Sequence, residues 1–514
     1  MSNSSAVLAF DLGASSGRAL LGEISSADHE SPGMLKITEI HRFANIPVQM
    51  GQHLHWNFPM LLQEVKHGIR KAFQAGYQPV SYGIDSWGVD YGLIDRNGEL
   101  IGVPYHYRDL RTEGMVEETC EQVGRERLFQ ESGLQFMPFN TIFQLNAMLK
   151  SNSPMLDIAD KFLLTPDLLN YYLTGVQACE FTMATTTQLY HVTEGKWNEP
   201  LMEELGLSAS LFIEPVQPGT VIGRLQDAVA QELGVPAIKA IAVASHDTES
   251  AVVAVPANTF RFAYLVCGTW SLLGTELPEP LVHTDVLEED FSNEGGAYQT
   301  FQLLKNIMGL WILQECKRQW ENQGLTYSFA ELVELAQDAE SFRSFINPDD
   351  LRFMNPADMP AEIRDYCRET GQPIPHSTGE YVQCILQSLA MRYREVLERM
   401  EVLTGYHYDG LHMVGGGIQN ELLCCYTANA MGRTVWAGPI EASAIGNMLV
   451  QFVANGTLRN REEGVELVKR SFPLAWYEPE SNEDWEAAFQ HYKSLSNNSR
   501  YNRKVKEILE NDVS

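Results

Sequence analysis

The 514-residue sequence is poor in positive charge and has no long apolar run. It contains 37 Lys and Arg against 67 Asp and Glu, a formal net charge of −30. Nucleic acids and anionic membranes bind basic surfaces, so an acidic chain is a poor partner for either. No apolar run approaches the roughly 18 residues that span a bilayer, and no basic or apolar leader opens the sequence. We therefore expect a cytoplasmic protein with neither nucleic-acid nor membrane partners.

Several motifs that carry well-known chemistry are also absent. The sequence has no GxxxxGK[ST], GxGxxG or HExxH segment, which excludes the corresponding nucleotide loops and metalloproteases. Its eight cysteines include no CxxC pair and no zinc-type spacing, so free or buried thiols are expected. Cys367 and Cys384 have sequence positions that a bridge could join, but a reducing cytosol disfavours one.

A small-residue turn follows an acidic residue near the start of the chain. The apolar run Ala6–Phe10 ends at Asp11, and the turn Gly13–Gly17 leads into a second apolar run, Ala19–Leu21. Backbone N–H groups in such a turn can approach an anion closely, and a carboxylate at the strand end can hold a divalent cation beside it. The pattern indicates a site for a nucleoside triphosphate tail with its Mg²⁺, although an ordinary hairpin turn has the same composition.

A second copy of this pattern favours the functional interpretation. In Phe262–Leu277, the turn Cys267–Ser271 again lies between two apolar strands. Two α/β halves with matching turns predict a duplicated fold with a cleft between the lobes. We place the N-terminal lobe at residues 1–256 and the C-terminal lobe at residues 257–465, and we expect the polar residues 466–514 to form a helical surface appendage.

Asp247 is the best candidate for a general base. It lies where the buried strand Ile238–Ala244 leads into a helix, which is the ligand-facing edge of an open parallel sheet. The helix dipole favours the ionised carboxylate, and an Asp of low pKa suffices when the transition state of phosphoryl transfer is loose. The alternative is a helix cap, a role that contributes about 1 kcal/mol of stability.

Two further features leave alternatives open. Gly415–Gly417 follows the buried strand Gly410–Val414 and precedes a helix. Small residues there allow a flat ring to lie against the backbone, which predicts the adenine and ribose end of the nucleotide, but a tight strand–helix connection also needs glycine. Asp85 and Asp90 flank a Trp-Gly pair, and either could bind hydroxyl groups or cap the hairpin.

From Ala6 to about Gly456, the sequence resembles the FGGY carbohydrate kinases in a series of short segments that occur in the same order. The matching segments are Asp11–Arg18, Gly83–Asp90, Ser245–Thr248, Cys267–Ser271, Asn293–Gly296, Leu304–Trp311, Val414–Asn420 and Gly438–Asn447. One departure is Gln302, a position at which relatives often carry Arg.

The resemblance implies an actin/Hsp70-like (ribonuclease H-like) pair of α/β lobes that phosphorylates a ketose with ATP and Mg²⁺, as a monomer or small homo-oligomer. It implies that Asp11 contacts the metal and that Asp247 accepts the proton. The implied ATP contacts are Ala14, Ser15, Ser16, Gly17, Arg18, Thr269, Gln314 and Gly416. The implied sugar contacts are Gly88, His246, Asp247, Thr248 and Asn306. The alternatives are a kinase for a different deoxyketose, or an actin-fold ATPase or sugar sensor without kinase activity, which would have no need of Asp247.

Overall fold

Helices and strands alternate along most of the chain. The computed structural model describes residues 6–25, 33–480 and 483–496. Its strands are β1 (Ala6–Leu12), β2 (Ser16–Ile24), β3 (Leu35–Ala44), β4 (Val48–Met50), β5 (His53–His55), β6 (Pro79–Ser86), β7 (Tyr91–Ile94), β8 (Lys161–Leu164), β9 (Tyr190–His191), β10 (Lys196–Trp197), β11 (Val221–Arg224), β12 (Lys239–Ile241), β13 (Ala263–Cys267), β14 (Trp270–Leu277), β15 (Ser292–Gly295), β16 (Phe301–Met308), β17 (Gly410–Val414), β18 (Thr434–Ala437) and β19 (Ala475–Tyr477).

The helices range from single turns to one of 27 residues. They are α1 (Phe58–Gln74), α2 (Met115–Val123), α3 (Arg125–Ser132), α4 (Thr141–Lys150), α5 (Pro154–Ile158), α6 (Thr165–Thr174), α7 (Phe181–Thr185), α8 (Glu199–Leu205), α9 (Asp227–Leu233), α10 (Asp247–Val253), α11 (Thr284–Glu288), α12 (Trp311–Asn322), α13 (Phe329–Gln337), α14 (Met359–Glu369), α15 (Thr378–Thr404), α16 (Glu421–Met431), α17 (Ala442–Ala454), α18 (Arg461–Ser471) and α19 (Glu483–Ser496).

The first compact unit is built around β1. It takes its residues from Met1–Asn258, Glu276–Leu304 and Glu441–Pro473, and its sheet has the strand order β11-β12-β6-β1-β2-β3. All seven residues of β1 are buried, as expected for a central strand covered on both faces. β1 pairs antiparallel with β2 and parallel with β6, so its carboxyl end and that of β6 lie at the same edge of the sheet.

The second unit repeats this arrangement around β13. It takes its residues from Thr259–Thr275, Lys305–Ile440 and Leu474–Ser514. The second large sheet has the order β15-β16-β14-β13-β17-β18-β19, and β13 pairs antiparallel with β14 and parallel with β17. Read from β19 inward, the pairing of β18, β17, β13 and β14 matches that of β12, β6, β1 and β2. The predicted duplication of an α/β fold is therefore confirmed.

The division of the chain is less simple than the sequence suggests. The chain enters the second unit at Thr259, close to the predicted boundary after residue 256, but it contributes two later segments to the first unit. One is Glu276–Leu304. The other, Glu441–Pro473, carries α17, which packs on α10, β1 and β6. The predicted C-terminal lobe, residues 257–465, is thus shared between the units, because the return of α17 completes the core of the first.

The expected surface appendage is corrected for its described part. Helix α19 buries Trp485, Phe489 and Tyr492 in one hydrophobic cluster with Phe345 and Met391 of the second unit. β19 pairs with β18 at the edge of the second sheet. The apolar residues of α19 recur every three or four positions, which turns one face of a polar helix toward the core. Residues 481–482 and 497–514 of the predicted appendage lie outside the described residues.

The structure also bears on the cysteines and on membrane segments. None of the eight cysteines, all of which lie in the described residues, forms a disulfide, and Cys367 and Cys384 are hydrogen-bonded neighbours. In the part of the chain that the structure describes, no helix has the length and apolar character needed to cross a membrane.

Candidate active site

Three carboxylates lie together at one edge of the first unit's sheet. Asp11 of β1 is the direct cross-strand neighbour of Asp85 in β6, and Ser86 forms a bridge with His246, just before Asp247. The electrostatic field of Asp11 raises the pKa of both other carboxyls. The predicted ligand edge, where parallel strands end, is thus strongly acidic.

Asp11 is paired with a cation on the neighbouring strand. Arg18 of β2 lies directly across from Asp11, with its Nη2 2.5 Å from the Asp11 Oδ2, and its Nη1 forms an ion pair with Glu441. Burial alone would lower the pKa of the Arg18 guanidinium, but the carboxylates of Asp11 and Glu441 outweigh burial and raise it. The guanidinium is held in place by two acids, at the base of the predicted phosphate turn.

Asp85, whose role the sequence did not decide, lies with Asp11 and Asp247 at this edge of the sheet. It is fully buried, its Oδ2 accepts a hydrogen bond of 2.6 Å from Asn447, and its Oδ1 has no hydrogen-bond partner among the described residues. Desolvation raises its pKa well above the ordinary value, and the charges of Asp11 and Asp247 raise it further. An unsatisfied carboxylate oxygen beside the carboxylate of Asp11 fits a hard divalent cation, which prefers oxygen ligands.

Asp247 is the first residue of α10 and is accessible in part. Its side chain is 30 % exposed. Its Oδ1 accepts a hydrogen bond of 2.7 Å from the amide of Thr248 and lies 3.6 Å from the Nε2 of His246, whereas its Oδ2 accepts none from the described residues. Desolvation raises its pKa to about 6; His246 opposes the shift, and Asp11 adds to it. The low pKa expected from the helix dipole is therefore wrong, but at pH 7 the group is still mainly ionised.

A buried glutamate that sequence reasoning missed fixes the segment before Asp247. The Glu180 Oε2 accepts hydrogen bonds from the backbone amide of Ser245, at 3.2 Å, and from the Thr182 hydroxyl, at 2.6 Å. The Thr182 hydroxyl in turn accepts from the amide of His246, at 3.0 Å. Burial raises the pKa of Glu180 to about 7. No local pattern marks its link to the segment before Asp247, because Ser245 lies 65 positions away along the chain.

Asp90 and Gly88 lie two positions apart but differ in their surroundings. Asp90 is fully buried and accepts hydrogen bonds from the indole N–H groups of Trp56 and Trp87, the amide of Tyr107 and the side chain of Gln144. Its carboxylate is therefore engaged in holding the aromatic cluster, a role that differs from both alternatives considered for this acid, hydroxyl binding and capping of the hairpin. Gly88 is half-buried, and a Cβ there would lie 3.1 Å from the side chain of Thr186.

The predicted phosphate turn is a tight hairpin between β1 and β2. The amide of Gly13 donates to the carbonyl of Ser16 at 2.9 Å, and the side chain of Asn45 donates to the carbonyl of Gly13 at 3.0 Å. The amides of Ala14 and Ser15 donate no hydrogen bond within the described residues, so they remain available to an anion.

Gly17 has a packing reason of its own, although the resemblance implies that it contacts ATP. It lies in β2, and a Cβ there would lie 2.2 Å from the ring of Phe43. The close approach of that ring therefore accounts for the glycine without any ligand.

The second unit carries a matching turn between β13 and β14. The amide of Gly268 donates to the carbonyl of Trp270 at 2.9 Å, as Gly13 does to Ser16 in the first unit. Next to it, the hydroxyl of Thr269 donates to the side chain of Gln314 at 3.4 Å, so two predicted ATP contacts, 45 positions apart, lie together. Asn306, a predicted sugar contact, lies on β16 and is half-buried.

The three glycines after β17 divide into two roles. Gly415 has a φ of +91°, and a Cβ on Gly417 would lie 2.4 Å from the Sγ of Cys267, so both are needed by the strand–helix connection itself. Gly416, between them, is exposed, and a Cβ there would meet nothing within 4 Å. A tight strand–helix connection thus accounts for the outer two glycines and gives no reason for a glycine at the middle position.

Comparison with known proteins identifies the class to which this fold and site belong. Residues 6–254 match the FGGY family of carbohydrate kinases, N-terminal domain, and residues 263–455 match its C-terminal domain. The chain belongs to the FGGY family of carbohydrate kinases. It is therefore an enzyme that transfers a phosphoryl group to a sugar, using ATP with a divalent metal ion.

Individual relatives narrow the comparison. The chain is 42% identical to the rhamnulokinase of Bacteroides thetaiotaomicron over 486 residues, which cover 95% of this chain and 98% of that protein. It is 41% identical to the rhamnulokinase of Oceanobacillus iheyensis, covering 91% and 97%. In fold it is similar to a ligand-bound xylulose kinase from Lactobacillus acidophilus, with a TM-score of 0.77, 13% identity and coverage of 97% and 99%. A glycerol kinase from Plasmodium falciparum with ADP gives a TM-score of 0.71 at 14% identity, covering 98% of each chain.

Proposed function

We propose that this enzyme transfers the γ-phosphoryl group of ATP to O1 of L-rhamnulose, giving L-rhamnulose 1-phosphate and ADP, in the catabolism of L-rhamnose. The observation that carries the proposal is the similarity to rhamnulokinases, at about 40% identity along nearly the whole of both chains. The acidity of the chain and its fold suit a cytoplasmic enzyme that acts on small molecules, with neither nucleic acid nor membrane as partner.

Asp247 is the general base in this proposal. With a pKa of about 6, the carboxylate is mainly ionised at neutral pH yet is a better proton acceptor than an ordinary Asp, which suits general-base catalysis. Its Oδ2, which accepts no hydrogen bond from the described residues, takes the proton of the sugar's primary hydroxyl as that oxygen attacks the γ-phosphorus. The bond from the γ-phosphorus to the bridging oxygen breaks, and ADP leaves with the electron pair.

The remaining site residues bind and orient the two substrates. In the first unit, Gly88, His246 and Thr248 contact the sugar, and the turn from Ala14 to Arg18 contacts the phosphates of ATP, with Arg18 supplying positive charge. In the second unit, Thr269, Gln314 and Gly416 contact ATP, and Asn306 contacts the sugar.

Mg²⁺ is the divalent ion we propose, and Asp11 would hold it, with Asp85 on the neighbouring strand as a further oxygen donor. The unsatisfied Oδ1 of Asp85 next to Asp11 is the feature that fits this ion. When bound, the ion offsets the negative charge of the phosphates.

Steady-state kcat/KM measured on a panel of ketoses tests the specificity. L-rhamnulose and L-fuculose differ only in the configuration at one hydroxyl, and a pocket that hydrogen-bonds one hydroxyl discriminates strongly against a sugar that presents it wrongly. We expect kcat/KM for L-rhamnulose to exceed that for L-fuculose by at least tenfold. A preference for L-fuculose would make this chain a kinase of another deoxyketose.

ADP release with and without sugar tests the class of activity. A kinase releases ADP much faster when its ketose is present, whereas an actin-fold ATPase or a sugar sensor hydrolyses ATP at a rate that no ketose changes. Release that fails to rise on addition of any ketose in the panel would contradict the proposal.

A further inference from the structure

Beside Asp247, the first unit holds a second group of potential metal ligands. His246, Glu249 and Glu294 each offer one ligand atom, and these atoms all lie within 4.8 Å of one another. All three residues are buried, with exposed fractions of 8 %, 1 % and 5 %. His246 and Glu249 belong to the start of α10, whereas Glu294 comes from β15, so two separate elements bring the group together.

Glu249 lacks the partners that a buried carboxylate ordinarily has. Both of its carboxylate oxygens are without a hydrogen-bond partner in the described residues. The Nδ1 of His246 lies 3.0 Å from the Oε2 of Glu294, and this pairing leaves Glu249 uncompensated. A buried carboxylate left unsatisfied costs several kcal/mol, so a compensating group is expected.

Protonation of Glu249 would remove its buried charge but would not satisfy its hydrogen-bonding needs. Burial raises the pKa of Glu249 well above its ordinary value, and the neighbouring acid Glu294 raises it further. A proton on Glu249 would remove the charge, but the resulting O–H would need an acceptor, and no described residue provides one within hydrogen-bond distance. A cation satisfies lone pairs on all three side chains at once.

We propose that His246, Glu249 and Glu294 form a buried binding site for one divalent transition-metal ion. One imidazole nitrogen and two carboxylates form a mixed ligand set that suits Zn²⁺ or Mn²⁺ better than the all-oxygen set that Mg²⁺ prefers. Small side-chain rotations bring ligand atoms this close together to the roughly 2.0–2.2 Å from one ion that zinc sites show. The site is separate from the Asp11 and Asp85 pair and does not depend on the identity of the sugar.

Such an ion would also orient the residue next to the proposed base. With Nδ1 of His246 bound to a metal, its proton is on Nε2, the atom that lies 3.6 Å from Asp247 Oδ1. A metal thus fixes the tautomer of the ring. In addition to its proposed contact with the sugar, His246 then presents an N–H toward the carboxylate of Asp247.

Zn²⁺ titration by calorimetry, with Co²⁺ absorption as a spectroscopic signature, tests the site. A second group, His41, Glu64 and His67 on β3 and α1, is also able to bind a metal at the surface, so all titrations use the full-length Glu64→Gln protein. In this background, with saturating Mg²⁺ present to occupy the proposed Asp11 and Asp85 site, we expect about one equivalent of tightly bound Zn²⁺. Adding Glu249→Gln, which keeps the shape but removes a ligand charge, should weaken binding by about 100-fold or more.

Thermal unfolding provides a readout that does not depend on activity. Zn²⁺ should raise the Tm of the Glu64→Gln protein, because it binds only the folded state, and should leave the Tm of the double variant unchanged. Without metal, the double variant should melt at the same temperature or higher, since it lacks an unpaired buried carboxylate. Equal Zn²⁺ affinity in the two proteins, or no stoichiometric binding in either, would overturn the proposal.

Discussion

Asp247 owes its chemistry to its surroundings more than to its place at a helix start. Asp227 is the first residue of α9, as Asp247 is of α10, but Asp227 is exposed. At Asp247, desolvation and the charge of Asp11 oppose ionisation and raise the pKa to about 6. A cap and a base therefore differ in their neighbours and not in their position along the helix.

Asp247→Asn should lower kcat by at least 10²-fold, as expected for removal of a general base, and should leave ATP affinity within a few-fold of wild type. Steady-state kinetics and calorimetric titration of ATP measure the two effects. Asp227→Asn is the matched control and should leave kcat unchanged. A loss of less than tenfold for Asp247→Asn would mean that the residue is only a helix-terminal group.

In the wild type, kcat/KM should rise with pH through about 6, because the base must be deprotonated.

Asp85→Asn should increase the free energy of unfolding relative to wild type, and this increase should be larger at neutral pH than at acidic pH. The folded-state pKa of Asp85 is raised, so the folded protein binds a proton more tightly than the unfolded chain does. Wild-type stability therefore falls as pH rises above the ordinary Asp pKa of about 3.9, and the variant escapes this loss. Urea unfolding at pH 5 and pH 8 should show a larger gain for the variant at pH 8, whereas metal-dependent turnover should fall.

Asp90→Asn is the contrasting variant for that experiment. Asp90 is also fully buried, but four donors satisfy its carboxylate. An amide nitrogen in its place would face those donors, so this variant should be less stable than wild type at both pH values. A similar response of the two variants would contradict the distinction drawn between the two acids.

Local patterns in the sequence indicated the elements proposed to bind the substrates, but not the residues that hold those elements in place. The turns after β1 and β13 are marked by contiguous small residues, and Asp247 by a strand–helix junction, so each was found from a few neighbouring positions. Glu180 and Asp85 act through partners that are distant in sequence, Ser245 and Asn447. Such pairings follow from strand order and helix docking, which spacing along the chain does not encode.

The error at the C-terminus has the same origin. Residues 466–514 are polar overall, which suggested an appendage, but the apolar residues Trp485, Phe489 and Tyr492 share one face of α19. Average composition conceals such a face, whereas the three- and four-residue spacing reveals it. A search for periodicity within the polar tail would have predicted a packed helix.

Gly446→Ala should displace α10, the helix that begins with Asp247. In α17, a Cβ at Gly446 would lie 1.7 Å from the carbonyl oxygen of Ser250 in α10, so the helices must separate. We expect a loss of about 1–3 kcal/mol, typical of overpacking, together with a fall in kcat. Chemical denaturation and kinetics measure these effects. Gly464→Ala in α18, where a Cβ meets Leu449 at an ordinary 3.4 Å, should change neither.

Gly416→Val should raise the KM for ATP at least several-fold without lowering the Tm. The new side chain enters open space within the protein's own structure, so it interferes only with a ligand that approaches the backbone. The KM for the ketose should remain close to wild type. Gly417→Val is the contrast, because it collides with Cys267 and should destabilise the fold. Unchanged ATP binding in Gly416→Val would assign all three glycines to the strand–helix connection.

At the scale of the whole molecule, the net charge of −30 opposes the binding of ATP but not that of the ketose. ATP is an anion, and the proposed ketose is neutral. Arg18 and the turn amides attract phosphate only at short range, whereas the field of the surface repels it over one Debye length, about 30 Å in 0.01 M salt and about 8 Å in 0.15 M. Local binding groups and the global charge therefore act in opposite directions on ATP.

Raising the salt concentration from 0.01 to 0.15 M, at a fixed concentration of free divalent ion, should therefore increase kcat/KM for ATP a few-fold. Screening weakens the long-range repulsion that slows the approach of the nucleotide, and it affects the short contacts in the site much less. The value of kcat/KM for the ketose, measured at saturating ATP, is the internal control and should not change. A decrease in kcat/KM for ATP would mean that the local positive charge of Arg18 controls the encounter, and that the acidity of the surface has no influence on how the nucleotide arrives.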